Sequence, residues 1–256
     1  MSQLAYNQTF VKGYEGMLAD SRKNLISSLI AAVAIKPARG VVKMYGYENQ
    51  CRLPVANQAV LTDDAGTFTA GAIATTVNGT VISTAWGTDK NTTMTAHAAA
   101  IQAGVTGVYS AVYSSGSHTI TIKSRNLAVT AVADLSGATG TMALMPSVST
   151  SLDTAAMLVG VAVNPGNVEQ ASNVVEIAAT KAVDVLEEGA IYVIPEETVT
   201  ADDVVYLRVQ DNSTKLVGMF GKSADSGKCV LLSGARWVEG GTGLTTVAKL
   251  QLNLPQ

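Results

Sequence analysis

The chain has 256 residues, of which 47% are hydrophobic and only 14% charged, with a formal net charge of -3. A chain this long buries a sizeable core and divides into one large or two small units. So little charge leaves Thr, Ser, Asn, Gly and Ala to form much of the surface, as suits β-rich assemblies, and a pI of about 5.4 concentrates no positive potential for nucleic acid.

The opening segment MSQLAYNQTFVKGYEG lacks the basic start and apolar core of a secretory signal, so synthesis and retention in a cytosol until assembly are expected. Cys51 and Cys229, the only cysteines, are too few for a disulfide framework or a thiolate metal site and fit a reducing compartment. The Asn-x-Ser/Thr matches at Asn7, Asn78, Asn91 and Asn212 are then chance products of an Asn- and Thr-rich chain.

Residues 1–24 scatter Tyr6, Phe10, Tyr14, Met17 and Leu18 with no sustained period of 3.6 or 2. They predict an extended arm that docks on the rest of the chain or on a neighbouring subunit. The longest apolar run, Leu25 to Ile35, is shorter than the roughly 20 residues of a membrane span and contains two serines, so no membrane partner is expected. Pro37 makes Lys36 extended and Gly40 permits an unusual backbone angle ahead of a short strand at Val41–Met44. A second short strand at Cys51–Leu53 is stopped by Pro54.

From Asp63 to Ser147 the composition shifts to Ala, Thr, Gly and Val. Phe68–Val77 and Thr80–Trp86 read as strands joined by the hairpin signal Asn78-Gly79. Thr88 to Asn91 offer capping side chains for a helix over Thr92–Gln102 with Met94, Ala98 and Ile101 on one face. Val105–Tyr113, Ser117–Lys123 and Leu127–Val132 complete a ββαβββ module.

After a Ser/Thr-rich joint, Ala156–Val163 reads as a buried strand, and strands recur at Val174–Ala179, Ala190–Ile194, Val204–Val209, Leu216–Phe220, Cys229–Leu232, Ala235–Val238 and Thr245–Leu254. Glu187-Glu188-Gly189 reads as a polar turn before the strand that Pro195 ends. The expectation is a mainly β fold: an antiparallel β-sandwich or barrel with an N-terminal arm (1–34), a β domain from 35–62 and 148–256, and an inserted α/β module (63–147).

No catalytic constellation emerges. His97 and His118 have no ligand-spaced partners and read as surface or structural residues. The carboxylate pairs Asp63-Asp64, Glu187-Glu188, Glu196-Glu197 and Asp202-Asp203 sit in turn signals and read as solvated loops; a calcium site from Glu197, Asp202 and Asp203 departs from EF-hand spacing. Gly240-Gly241-Thr242-Gly243 precedes a strand instead of a helix, which makes it a hairpin turn and not a phosphate cradle. No enzyme, cofactor or metal is expected.

Several short motifs in a fixed order resemble the structural cement, or capsid decoration, proteins of tailed bacteriophages. They are Tyr14-Glu15-Gly16-Met17-Leu18-Ala19-Asp20, then Ile35-Lys36-Pro37-Ala38-Arg39-Gly40-Val41, in which Lys36 and Ala38 depart from the family pattern, then Arg52-Leu53-Pro54. Toward the end come Leu186 to Val193, Val205-Tyr206-Leu207-Arg208, Gly234-Ala235-Arg236-Trp237 and Leu252-Asn253-Leu254-Pro255. The resemblance implies a non-enzymatic virion protein on the outer capsid surface, made in the host cytoplasm, that clamps neighbouring major capsid subunits. It also implies self-association, as a trimer in preference to a dimer. Tyr6, Phe10, Tyr14, Met17, Leu18, Pro37 and Arg39 are the expected capsid or subunit contacts. The alternative is a virion-surface adhesin or head-fibre-like protein binding host glycan through Trp86, Tyr109 or Tyr113 of the inserted module.

Overall fold

A computed structural model describes residues 14–19, 24–64, 66–124, 129–135, 137–149, 157–164 and 176–253. The fold is mainly β, with a single α-helix among the described residues. The first strands are β1 (Leu25–Ala31), β2 (Gly40–Lys43), β3 (Gln50–Arg52) and β4 (Gln58–Asp63). Next come β5 (Phe68–Val77), β6 (Thr80–Ala85), α1 (Lys90–Gly104), β7 (Val108–Ser114) and β8 (Thr119–Ser124). Short strands β9 (Ala131–Asp134), β10 (Ala138–Gly140) and β11 (Leu144–Ser149) lead to β12 (Leu158–Ala162) and the long β13 (Ala182–Val193). The chain ends with β14 (Tyr206–Arg208), β15 (Phe220–Gly221), β16 (Cys229–Leu231), β17 (Ala235–Glu239) and β18 (Ala248–Asn253).

Five strands close into a ring in the order β1, β3, β2, β12, β13 and back to β1. This barrel is the form the sandwich-or-barrel expectation takes, although β1 and β3 run parallel where antiparallel pairing was expected. Closure removes the exposed ladder edges that an open five-stranded sheet would leave. β13 is long enough to serve three neighbours: its first half pairs with β1 and β12, and its second half, Glu188 to Val193, pairs with β18.

Glu187-Glu188-Gly189 therefore lies inside a continuous strand, and the turn reading is corrected. The register shifts there, with Leu25 opposite Glu188 but Ile26 opposite Leu186, so the local break is a β-bulge. Gly189 adopts φ +134, a conformation open to glycine alone, where the strand passes from one partner to the other. The strand expected over Val174–Ala179 falls partly outside the described residues; within them Ile177 makes one isolated bridge to Ile35.

The middle of the chain has its own packing centre. β4, β7, β8 and β11 form one sheet, while β5 pairs with β6, β9 and β10. Between them Leu61, Ile73, Met94, Ile101, Ile120 and Ile122 are fully buried. The helix starts at Lys90, ahead of the expected Thr92, and its cap comes from the expected stretch: the Asp89 carboxylate accepts from the Thr92 N–H at 2.9 Å and from the Thr92 hydroxyl at 2.7 Å. Its inner face carries Met94, Ala98 and Ile101 as expected, together with His97. β1, which lies within the expected arm, and β4, β10 and β11 have no counterpart among the expected strands.

The barrel and C-terminal strands bury two further groups, one around Leu186, Ile191, Phe220, Trp237 and Leu250, the other around Ile35, Val41, Cys51 and Val185. Both cysteines are free and buried; burial pushes the Cys51 thiol up to about 11.

Candidate functional site

Of the seven expected contact residues, Tyr6 and Phe10 lie outside the described residues. The structure brings the other five together on one side of the barrel. Tyr14 to Ala19 form a strap along the second half of β13. The Gly16 N–H donates to the Tyr192 carbonyl at 2.8 Å, the Tyr192 N–H donates to the Met17 carbonyl at 2.9 Å, and the Ala19 N–H donates to the Ala190 carbonyl at 2.8 Å. Leu18 bridges to Ile191 and packs on the barrel core. The strap thus docks on its own chain, and Tyr14, 52% exposed, is its outward-facing ring.

Beneath the strap runs the kinked segment at Pro37. Asn164, just beyond β12, ties the strap to the barrel, since its N–H donates to the Gly16 carbonyl at 3.0 Å. The Ala38 N–H donates to the Ala162 carbonyl at 2.7 Å, the Ala162 N–H donates back to the Arg39 carbonyl at 2.9 Å, and the Gly40 N–H donates to the Gly218 carbonyl at 2.8 Å. Pro37 and Arg39 are consequently buried.

The electrostatics of this corner are unusual for a low-charge surface. Burial pulls the Arg39 guanidinium below its ordinary value, opposed by the nearby Glu15 and Asp211 charges. Burial likewise raises Glu15, opposed by Arg39 and Lys36. Lys36 and Arg39 line a hollow of about 220 Å³ with Leu53, Glu176, Asp211 and Leu216.

Two features escaped the sequence reading. A larger hollow, about 580 Å³, lies beside the β2–β3 hairpin, lined by Met44, Tyr45, Tyr47, Glu48, Met157 and Val159. Tyr45 and Tyr47 are 54% and 51% exposed on either side of Gly46, whose φ is +83. The signal available in the sequence was the Tyr-Gly-Tyr triplet. The second feature corrects the solvated-loop reading of Glu196: it is buried, and both its oxygens accept from Arg208. Burial alone would lower Arg208, but hydrogen bonds to Glu196 and Asp225 more than offset it and raise the guanidinium.

The remaining candidates serve packing. His97 is fully buried, its ring nitrogens 2.7 Å from the Thr75 hydroxyl and 2.9 Å from that of Thr84. His118 faces Asp63 at 3.6 Å, beside the Lys90 ammonium at 2.6 Å. Glu197 accepts from the N–H groups of Lys222 and Ser223 and so ties two loops, while Asp203 accepts from the Thr200 N–H and closes its own turn. No group of three His, Cys, Asp or Glu residues among the described residues could hold a metal ion. Trp86 meets Phe68 edge-on with centroids 4.8 Å apart, and the Tyr113 hydroxyl reaches Asp63 and Asn91.

No curated protein matches the chain. A family model described as structural cement protein (E217 gp24/Pam3 gp6) matches residues 100–253, from within α1 to the last residue of β18. With more than half its length matched, the chain belongs to the phage structural cement protein family.

Proposed function

We propose that the chain binds the outer surface of a bacteriophage head and cements neighbouring major capsid subunits, with no bond-making chemistry. The family match over residues 100–253 carries this reading. Many copies, each making modest contact, gain avidity because the lattice presents their sites at fixed spacing. A self-assembled trimer, preferred to a dimer, places equivalent contacts around one axis. The protein would be made in the host cytoplasm and end on the virion.

The strap supports a division of labour within the arm. Residues 16–19 belong to the barrel's own packing, so the residues that reach a neighbour are Tyr14 and those before it, Tyr6 and Phe10. The adhesin alternative draws no support from Trp86 or Tyr113, whose rings are engaged within the module.

The test is addition of purified chain to empty heads assembled from the major capsid protein, followed by sedimentation and heating. Saturable decoration and a raised disruption temperature are expected, with decoration lost on deleting residues 2–13. A monomer that leaves heads bare overturns the reading.

A further inference from the structure

Arg39 is 9% exposed, and its Nη1 has no hydrogen-bond partner. A guanidinium offers five N–H donors in a rigid planar fork and can shed none of them as an acceptor, so a buried unpaired donor is costly. Two carboxylates act on it by charge, Glu15 more strongly than Asp211, yet neither reaches Nη1, and Asp211 Oδ1 accepts from the Val217 N–H at 2.7 Å and closes that turn.

The main chain at Arg39 is fixed. Its neighbours on both sides are pinned to Ala162 and Gly218, and a Cβ at Gly218 would stand 3.1 Å from the Arg39 Cβ, so the chain there packs directly on the arginine stem. Arg39 thus lines a hollow of about 220 Å³ from a fixed point of the chain, with Lys36 as a second cation. That volume is below the roughly 300–1,000 Å³ of small-molecule pockets and suits one amino-acid side chain.

We infer that this hollow receives a carboxylate carried by the protein surface on which the chain docks, one Asp or Glu side chain of the capsid partner accepting a hydrogen bond from Arg39 Nη1 beside Lys36. The inference rests on the head-binding reading above. A carboxylate fits the guanidinium fork in shape and charge. The source is a docked protein because Glu176 and Asp211 match Lys36 and Arg39 around the hollow and Glu15 adds a third negative charge beside Arg39, so the local field does not draw in a free anion. A side chain delivered by a docked surface instead arrives at high effective concentration.

The test compares wild type with Arg39→Met and Arg39→Lys for binding to empty heads, with thermal unfolding of each variant. Arg39→Met keeps an unbranched stem and removes the donors; binding should weaken about ten-fold to a hundred-fold while the unfolding midpoint holds or rises. Arg39→Lys keeps the charge without the fork and should weaken binding about five-fold or more; it decides the matter alone if Arg39→Met does not fold. Variants that bind within about two-fold of wild type, on heads that wild type decorates, overturn the carboxylate site and leave the head-binding reading standing. Bare heads with wild type overturn that reading and this inference with it. Acetate titrated into wild type, followed by the Arg39 Nε–H NMR signal against chloride at equal ionic strength, should saturate only at high concentration. Tight acetate binding would assign the site to a free anion and overturn the protein-borne carboxylate.

Discussion

Arg208 grips Glu196 with two prongs, Nε and Nη2 each donating to a different carboxylate oxygen, and neither side chain has exposed area. The same Nη2 reaches Asp225 at 2.5 Å, and Nη1 donates to the Gln210 carbonyl at 3.0 Å. Asn212 then donates to Asp225 at 3.0 Å, so one guanidinium ties together three loops around the β14–β16 sheet. Breaking such a pair from one side leaves an uncompensated buried charge. Arg208→Met or Glu196→Gln should each cost about 3–5 kcal/mol in urea unfolding, and the double change to Met at both positions should recover much of that loss. Single variants within about 1 kcal/mol of wild type would show the network to be dispensable.

His97 makes stability depend on pH in a defined window. Burial pushes its imidazole down to about 4 from an ordinary 6.5, because a buried ring resists charging. Between these values the unfolded chain binds a proton that the folded chain refuses, so stability is complete above about pH 6.5 and falls as pH drops toward 4. The loss is about 3 kcal/mol for that displacement. His97→Gln, which still offers hydrogen bonds to Thr75 and Thr84, removes this component. Wild type minus variant stability should therefore shrink by about that amount from pH 7 to pH 4; a constant difference would assign the acid sensitivity to the carboxylates.

Gly189 is the point where β13 changes partners, and its φ of +134 suits no other residue. A Cβ there would stand 2.1 Å from Asn24 Oδ1 and 3.2 Å from Leu186 Cδ1. Gly189→Ala should cost about 1–3 kcal/mol from backbone strain. Adding Asn24→Ala should return only the steric part, which a double-mutant cycle in urea isolates. Full recovery in the double variant would mean the bulge itself tolerates a side chain.

Local chemistry was readable and distant pairing was not. The β5–β6 hairpin, its Asn78-Gly79 turn and the Asp89 cap all depend on residues within a few positions of one another, and each stands where the sequence placed it. The barrel's closure joins Ser28 to Asp184 across 156 positions, and the serines of β1 hide its strand pattern inside what looked like an arm. Glu196 sits in a turn signal, and its partner Arg208, 12 residues on, becomes visible only when the sheet folds back. For the candidate site, the motif order singled out Tyr14 to Leu18, Pro37 and Arg39, and folding gathers them. The roles of Glu15 and Asp211 in setting the charge around Arg39 arise from three segments meeting in space, which no spacing along the chain encodes.

Gly16 is where the strap meets the barrel most closely. Its φ is +80, and an added Cβ would fall 2.7 Å from the Pro37 Cβ and 3.0 Å from the Asn164 nitrogen. Neither neighbour is the free end of a flexible side chain, so Gly16→Ala must push the strap outward and break the Gly16–Tyr192 and Asn164–Gly16 hydrogen bonds. The barrel's own ladders do not pass through residue 16, so a local opening should precede global unfolding. Limited proteolysis should cut within residues 14–19 at least about ten-fold faster than in wild type, with hydrogen exchange rising at Tyr192 and Asn164, while the urea midpoint moves little. If the arm positions the capsid contacts, head decoration should weaken in parallel with the proteolytic rate across a Gly16→Ala, Gly16→Ser and Gly16→Val series. Decoration that stays constant while the strap opens would assign head binding to surfaces other than this side of the barrel.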